Sequence, residues 1–358
     1  MLPLTMRPNV TRVLIVGDYP PPYGGLSVQV SVLHALLAGR PGYACRVLDI
    51  GESRHQPRPE CLGTRHGLDF AAKLLWHAAG QWILHLHTSG HNVSSWLGAL
   101  ACATAGLLNG RKTILSLGSG LAPEWIRGAG PVMRQVVRLT LALTGVIVCR
   151  NARSRAALAA LGVPAGKIVV LSGFYGLGPT ETTAVPPPVE EFLKAHSPVI
   201  GAVASIGPEY GLPLVAEAAA RLRRAYPRLG LLLMGPAGFE RADLDGSLLL
   251  AGQLPHDTAL AVMRRMSVFV RPTYFDGDAS SVREALALGV PVVASDTDFR
   301  PEGVIVFRRG HVDDLTDKLV QTLGAGRSRP CPESADAGSW LRILAIYERL
   351  SLKGSLAC

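Results

Sequence analysis

Short apolar runs recur along this chain, and each is followed by a stretch with helical periodicity. In the first half the runs lie at residues 12–17, 46–50, 83–87, 113–117, 146–149 and 168–171. Helical patterns fill the gaps between them: Val28, Val32, Leu33, Leu36 and Leu37 make one stripe, and 70–79, 94–108, 132–143 and 154–161 make others. A strand buried on both faces reads as a continuous apolar run, and parallel neighbours need a long crossover between them. The alternation therefore predicts a doubly wound α/β sheet. It stops at 174–198, where five prolines and few large apolar residues predict a linker with one short helix. It then restarts, with strands predicted at 199–203, 229–234, 248–250, 268–271 and 304–307 and helices at 212–225, 258–266 and 312–323. A polar break precedes a last amphipathic helix at 340–350. The stretch 51–67 reads as loop. Two α/β sheets joined by a linker are expected, with domains at 1–176 and 199–335, a linker at 177–198 and a terminal helix within 336–358.

Composition narrows the function classes. Of the 358 residues 48% are hydrophobic and mean hydropathy is +0.26. Yet the longest nearly uncharged apolar run, 96–108, is too short for a bilayer-spanning helix of about 20 residues. The start, MLPLTMRPNVTRVLIVG, enters a strand without the apolar core and cleavage site of a signal peptide, so a cytosolic protein is expected. Six scattered cysteines without C-x-x-C spacing point to reduced thiols rather than a disulfide framework or a zinc site. Residues 1–180 hold 17 basic and 6 acidic side chains, and the remainder 19 and 21. A basic, apolar-rich first half suits an anionic partner such as a membrane surface or a phosphorylated lipid, although a solvated arginine-rich surface would read the same way. No zinc-finger spacing, RNP-type strand or basic heptad supports nucleic acid.

The chemistry concentrates in YFDGDASSVREALALGVPVVASD, residues 274–296. Ser281-x-x-Glu284 could be a capping box, with Gly289 and Pro291 ending the helix. That leaves Asp276-Gly277-Asp278 unexplained, directly after an apolar strand, where α/β sheets bind ligands. A calcium loop fails because Ala287 stands where its bidentate glutamate belongs. A metal-binding Asp-x-Asp fits the letters, but the transferases that use it have one nucleotide-binding sheet, and here the motif lies in a second. No G-x-G-x-x-G follows the first strand, and no G-x-x-x-x-G-K-[ST] occurs, which argues against dinucleotide and P-loop enzymes.

The run resembles the donor motif of glycosyltransferase family 4, the group 1 glycosyl transferases. It has an acid, seven residues, a glutamate, then A-x-x-x-G-x-P-V-V-A-S: here Asp276, Glu284, Ala285, Gly289, Pro291 and Val292 to Ser295. Pro22-Tyr23-Gly24-Gly25 is similar to the family's N-terminal glycine loop, and His85-Leu86-His87-Thr88-Ser89 to its H-x-H strand. The stretch 160–170 resembles its domain-closing segment, Gly207 to Gly211 the opening of its second domain, and 340–350 a terminal helix that crosses back to the first domain.

The resemblance implies a GT-B fold, two Rossmann-like domains facing across a cleft, and a retaining, metal-independent sugar transfer from a nucleotide-diphosphate-sugar. The donor is a co-substrate and no cofactor or metal is implied. In that reading Glu284 accepts the ribose hydroxyl protons, and the helix N-terminus with Gly277, Asp278, Ala279 and Ser280 receives the diphosphate. Asp276 binds a sugar hydroxyl, and Gly24 and Gly25 face the diphosphate from the first domain. The chain departs from the family in three places. Ser205 and Tyr210 stand where an Arg and a Lys usually neutralise the diphosphate, so Arg271 or Arg283 must help, each weighed against a merely solvated arginine. Gly118 stands where a histidine usually approaches the transferred sugar, which leaves His87 to contact sugar or acceptor, against a structural reading of that side chain. The first motif acid is aspartate rather than glutamate. The expected acceptor is a glycan or lipid-linked oligosaccharide in surface polysaccharide assembly, reached from the inner face of the membrane. The rival readings are a non-catalytic GT-B protein that binds a nucleotide-sugar or a partner transferase, and a sugar-nucleotide epimerase.

Overall fold

The computed structural model describes residues 10–56, 58–177, 183–203, 205, 207–236, 246–326 and 337–352. The chain forms two compact units: residues up to Gly173 together with those from Gly338 onward, and Phe174–Ala337.

The first unit is built on a seven-stranded parallel sheet of order β3-β2-β1-β4-β5-β6-β7. Its strands are β1 (Thr11–Gly17), β2 (Tyr43–Asp49), β3 (Cys61–Gly63), β4 (Ile83–Thr88), β5 (Thr113–Leu117), β6 (Val146–Cys149) and β7 (Ile168–Val170). The crossovers run through α1 (Gly25–Ala38), α2 (Gly67–Ala79), α3 (Val93–Ala105), α4 (Ala122–Gly128), α5 (Pro131–Leu143) and α6 (Ala152–Ala160). A 3-10 turn, Gly106–Asn109, ends α3. Asparagine caps set two of these starts: Asn92 accepts from the Ser95 amide at 2.8 Å, and Asn151 from the Ser154 amide at 2.9 Å. Such caps satisfy amides that have no intrahelical partner.

Two elements of this unit depart from expectation. The polar stretch 51–67 carries β3, a three-residue edge strand paired with β2. The stretch after β5 folds as α4, a seven-residue helix with proline in its first turn.

The second unit has a six-stranded parallel sheet of order β10-β9-β8-β11-β12-β13. Its strands are β8 (Val199–Val203), β9 (Gly230–Met234), β10 (Leu248–Gly252), β11 (Val268–Arg271), β12 (Val292–Ser295) and β13 (Val304–Phe307). Its helices are α7 (Pro187–Ala195), α8 (Leu212–Leu222), α9 (His256–Met263), α10 (Ser280–Ala287) and α11 (Val312–Ala325). Helix α7 buries Val189 and Phe192 in the core of this unit. The final helix, α12 (Ala337–Leu352), buries Ile343 and Tyr347. With these elements the fold is two doubly wound, Rossmann-like units.

In each sheet the strand order reverses once, between β1 and β4 and between β8 and β11. Doubly wound sheets bind ligands beyond the strand ends at such a reversal. His87 is the next-to-last residue of β4, and Arg271 is the last of β11.

Candidate functional site

Asp276 and Asp278 each have an arginine partner, and Glu284 has a histidine partner. Asp276 lies in the loop between β11 and α10. Its Oδ2 accepts from Arg271 Nε at 3.1 Å, Arg300 Nη1 at 2.9 Å and the Thr273 hydroxyl at 3.2 Å. Burial pushes the Asp276 carboxyl toward the neutral form, but the two guanidiniums outweigh it and hold its pKa below the usual range. Arg300 is anchored in turn, its Nε donating to the Ser295 carbonyl at 2.9 Å. Asp278 Oδ1 accepts from Arg283 Nε at 2.8 Å, and the Arg283 guanidinium lies over the Phe299 ring at 5.7 Å.

Glu284 projects from α10, and its Oε1 sits 3.0 Å from Nε2 of His256, the first residue of α9. Burial opposes charge on this imidazole. The hydrogen bond and charge of Glu284, with the charge of Asp257, outweigh burial and raise the His256 pKa above 6.5.

The capping-box expectation for Glu284 does not hold. Helix α10 starts at Ser280 with Ala279 as its cap residue, so the third helical position is Val282 and no side chain caps the helix. Glu284 lies beyond the first turn and meets a different helix. Because α10 follows directly on Gly277, Asp278 and Ala279, its N-terminal amides and partial positive charge belong to the loop that carries the two aspartates.

The segment 207–211 packs on the same loop. The Tyr274 amide donates to the Glu209 carbonyl at 2.8 Å. Gly211 has φ +66°, and a Cβ there would stand 2.4 Å from the Pro272 carbonyl oxygen, so only glycine admits this approach. Tyr210 packs against the apolar core and Ser205 is half-buried. Neither brings charge.

In the first unit, Gly24 caps α1, and its amide is held by Ser27 Oγ at 2.9 Å. A Cβ on Gly25 would meet nothing within 4 Å, so the fold of the described atoms does not require glycine there. His87 is 2% exposed, and neither ring nitrogen reaches the surface or finds a hydrogen-bond partner. Burial, with the charges of His85 and Arg150, holds its pKa well below 6.5. In this conformation its imidazole must be uncovered before it can touch a substrate. Its neighbour His85 is tied on both sides, to the Tyr347 hydroxyl at 2.6 Å and the Ser116 hydroxyl at 2.8 Å. At Gly118 a Cβ would stand 2.3 Å from Leu26 Cδ2, so Leu26 of α1 fills the space a side chain would need.

The structure thus brings Arg271 and Asp276 together, Asp278 with Arg283, and Glu284 with a residue that sequence reasoning missed. It places Gly24, Gly25 and His87 in the other unit. The missed residues are His256 and Arg300. The available signal was charge: three motif acids faced only two nearby arginines, and Arg300 is the third. His256 gave no signal, because a histidine after proline at a helix start is commonplace. Among the described residues no group of three or more His, Cys, Asp or Glu side chains is placed to hold a metal ion.

Residues 197–324 match the family model described as Glycosyl transferases group 1, the family that the motifs resemble. The chain is 30% identical over 180 residues to 2-deoxystreptamine glucosyltransferase of Streptomyces kanamyceticus, covering 46% of each chain. It is 32% identical over 149 residues to GDP-mannose-dependent alpha-mannosyltransferase of Mycolicibacterium smegmatis, covering 39% of this chain and 38% of that one. The matched stretches span less than half the length of these curated relatives. Among solved structures, HepE of Anabaena in complex with UDP-glucose superposes with a TM-score of 0.66 at 16% identity, over 96% of this chain and 99% of that one. That likeness is one of fold, and the fold is GT-B.

Proposed function

We propose that the chain is a glycosyltransferase that moves a sugar from a nucleotide-diphosphate-sugar to an acceptor with retention of anomeric configuration. One observation carries this reading. In the segment matched by the family model, Glu284 stands free of any capping role, beside the uncapped start of α10 and the strand reversal of its sheet.

Each part of a donor then has a partner of suitable chemistry. The Glu284 carboxylate accepts the two ribose hydroxyl protons, with His256 fixing its orientation. Charged hydrogen bonds of this kind contribute about 1.5–3 kcal/mol each. The amides at the start of α10 and the backbone of Gly277, Asp278, Ala279 and Ser280 receive the diphosphate. The family's Arg and Lys are replaced here by Ser205 and Tyr210. Two guanidiniums, Arg271 and Arg300, share the single carboxylate of Asp276. That group carries one surplus positive charge for the departing diphosphate, whereas Arg283 is already matched by Asp278. Asp276 reaches a sugar hydroxyl while holding these arginines in place, and His87 contributes only once uncovered.

The curated relatives act, by their names, as a glucosyltransferase and a GDP-mannose-dependent mannosyltransferase, which supports a nucleotide-sugar donor. We extend the reading to a metal-independent reaction on a glycan or lipid-linked acceptor in surface polysaccharide synthesis, at the inner face of the membrane.

A thermal-shift screen against UDP-, GDP-, ADP- and dTDP-sugars identifies the donor, and product analysis on an acceptor panel tests transfer. Glu284→Ala is expected to weaken the donor's Kd about tenfold to a hundredfold, the loss of one or two charged hydrogen bonds. Unchanged donor affinity in a folded Glu284→Ala protein rejects the assignment. The burial of His87 and the filling of the Gly118 site by Leu26 favour one second reading, a GT-B protein that binds a nucleotide-sugar without turnover. Donor binding with neither hydrolysis nor transfer across the panel selects it.

A further inference from the structure

We propose that the outward face of α2, α3 and α5 in the first unit docks on an anionic lipid surface. These helices bury their inner stripes in one core, through Leu74, Ala78, Trp96, Ala99, Val137 and Leu141. They also pack side by side, α3 against both α2 and α5, so their outward stripes share one face. That face is apolar. Leu68, Trp76, Leu97, Leu108, Val132 and Leu139 are between 50% and 80% exposed. Helix α3 and the 3-10 turn that ends it, residues 93–109, carry no charged side chain at all. A surface helix ordinarily carries charge on its solvent side, and a contiguous apolar face on a soluble domain marks an interaction site.

The charges around the face select the partner. Arg65, Lys73, Arg111, Arg134 and Arg138 come from these helices and their flanks. The single acid among them, Asp69, is already held by Lys73 at 2.6 Å. Glu124 on neighbouring α4 is tied to Arg127 and Arg153. In a two-fold interface with a second copy this face would meet itself and oppose arginines to arginines. Anionic headgroups meet the same cations favourably, while leucines, a valine and a tryptophan enter the headgroup–acyl boundary. No helix among the described residues is long and apolar enough to cross a membrane, so the face would lie on the bilayer rather than span it.

The inference gains its biological sense from the proposed lipid-linked acceptor, but its test needs neither donor nor acceptor. The full chain is sedimented with vesicles of phosphatidylcholine alone or mixed with phosphatidylglycerol. Partitioning is expected to be about tenfold or more stronger on the anionic vesicles and to weaken with salt. Trp76→Glu combined with Leu97→Glu should cut partitioning about tenfold or more. Arg134→Glu with Arg138→Glu should abolish the preference for the anionic lipid. Val320→Glu, an exposed position of the second unit, should change nothing. Thermal melts verify folding of each variant. Should the Trp76→Glu, Leu97→Glu variant fail to fold, quenching of Trp76 emission by brominated lipid, read against Trp76→Phe, tests the same contact in the parent. Vesicle binding unaffected by both double variants, or no binding to either vesicle, overturns the proposal. So does concentration-dependent dimerisation that Trp76→Glu with Leu97→Glu abolishes, which would make a second copy the occupant. A chain that binds vesicles but no nucleotide-sugar keeps this inference and loses the proposed activity.

Discussion

His85 of the first unit and His256 of the second are both largely buried, yet their surroundings push them in opposite directions. His85 meets two hydroxyls, and burial with the nearby Arg150 charge lowers its pKa to about 3. His256 meets the Glu284 carboxylate, which outweighs burial and raises its pKa. Hydroxyls satisfy a neutral ring without stabilising a charge, whereas a carboxylate stabilises the imidazolium. Strands β4 and β5 and helix α12 are therefore tied together by a neutral hydrogen-bonded network. The loop before α10 is held by ion pairs, Asp276 with Arg271 and Arg300 and Asp278 with Arg283. The first arrangement fixes the fold. The second pairs charges of opposite sign, and a charged ligand can take the place of one partner.

The comparison breaks most visibly at Asp276. Its carboxylate is shared by Arg271 and Arg300, whose side chains are 15% and 6% exposed. Asp276→Ala removes the carboxylate that both guanidiniums share, with the charge of Asp278 still acting on Arg300, and is expected to cost about 3–5 kcal/mol in urea denaturation. Adding Arg300→Met should recover part of the loss, because it removes one of the stranded charges. A loss under about 1 kcal/mol for Asp276→Ala would mean that this cluster is as solvated as an ordinary surface pair.

The neutral network offers the next effect. Tyr347→Phe removes one hydroxyl and leaves Nδ1 of a fully buried His85 without its partner. The expected cost is about 1–3 kcal/mol, the penalty for an unsatisfied buried polar group. Donor affinity, if the second unit carries it, should stay unchanged.

These contacts also mark the limit of what the sequence shows. Strand and helix alternation was legible because parallel strands buried on both faces write continuous apolar runs, as in RVLIVG and TILSL. The cluster 276–284 was legible because its members are close in sequence. Edge strand β3 was not, since three half-buried residues in a polar stretch leave no periodicity to detect. Helix α4 was missed for a similar reason, having only seven residues. The partners that decide the chemistry lie far along the chain. His256 is 28 residues from Glu284, Arg300 is 24 from Asp276, and Tyr347 is 262 from His85. Such pairs arise from which helix starts and strand ends the sheet brings together. The capping-box reading of Glu284 failed on a local matter: the helix is capped at Ala279, ahead of the Ser281 cap that the Ser-x-x-Glu spacing requires.

The smallest effect sharpens the comparison most, because it depends on sign. His256 has a raised folded pKa, so its contribution is fully present below the unfolded value of 6.5 while Glu284 is ionised. That contribution is lost as pH rises through the folded value. His85 has a lowered pKa, so its contribution is present above 6.5 and is lost as pH falls from there toward about 3. The His85 contribution should change by under about 1 kcal/mol between about pH 6 and pH 8, since only the start of the interval from 6.5 down to about 3 is crossed there. Denaturant midpoints across that range separate the two. The stability gap between parent and His256→Gln should narrow as pH rises, and the gap between parent and His85→Gln should widen. Parallel slopes would show that the Glu284 contact does not govern His256 in solution. The carboxylate would then be free to turn toward a ligand without breaking an ion pair, and Glu284→Ala should weaken donor binding with no dependence on pH.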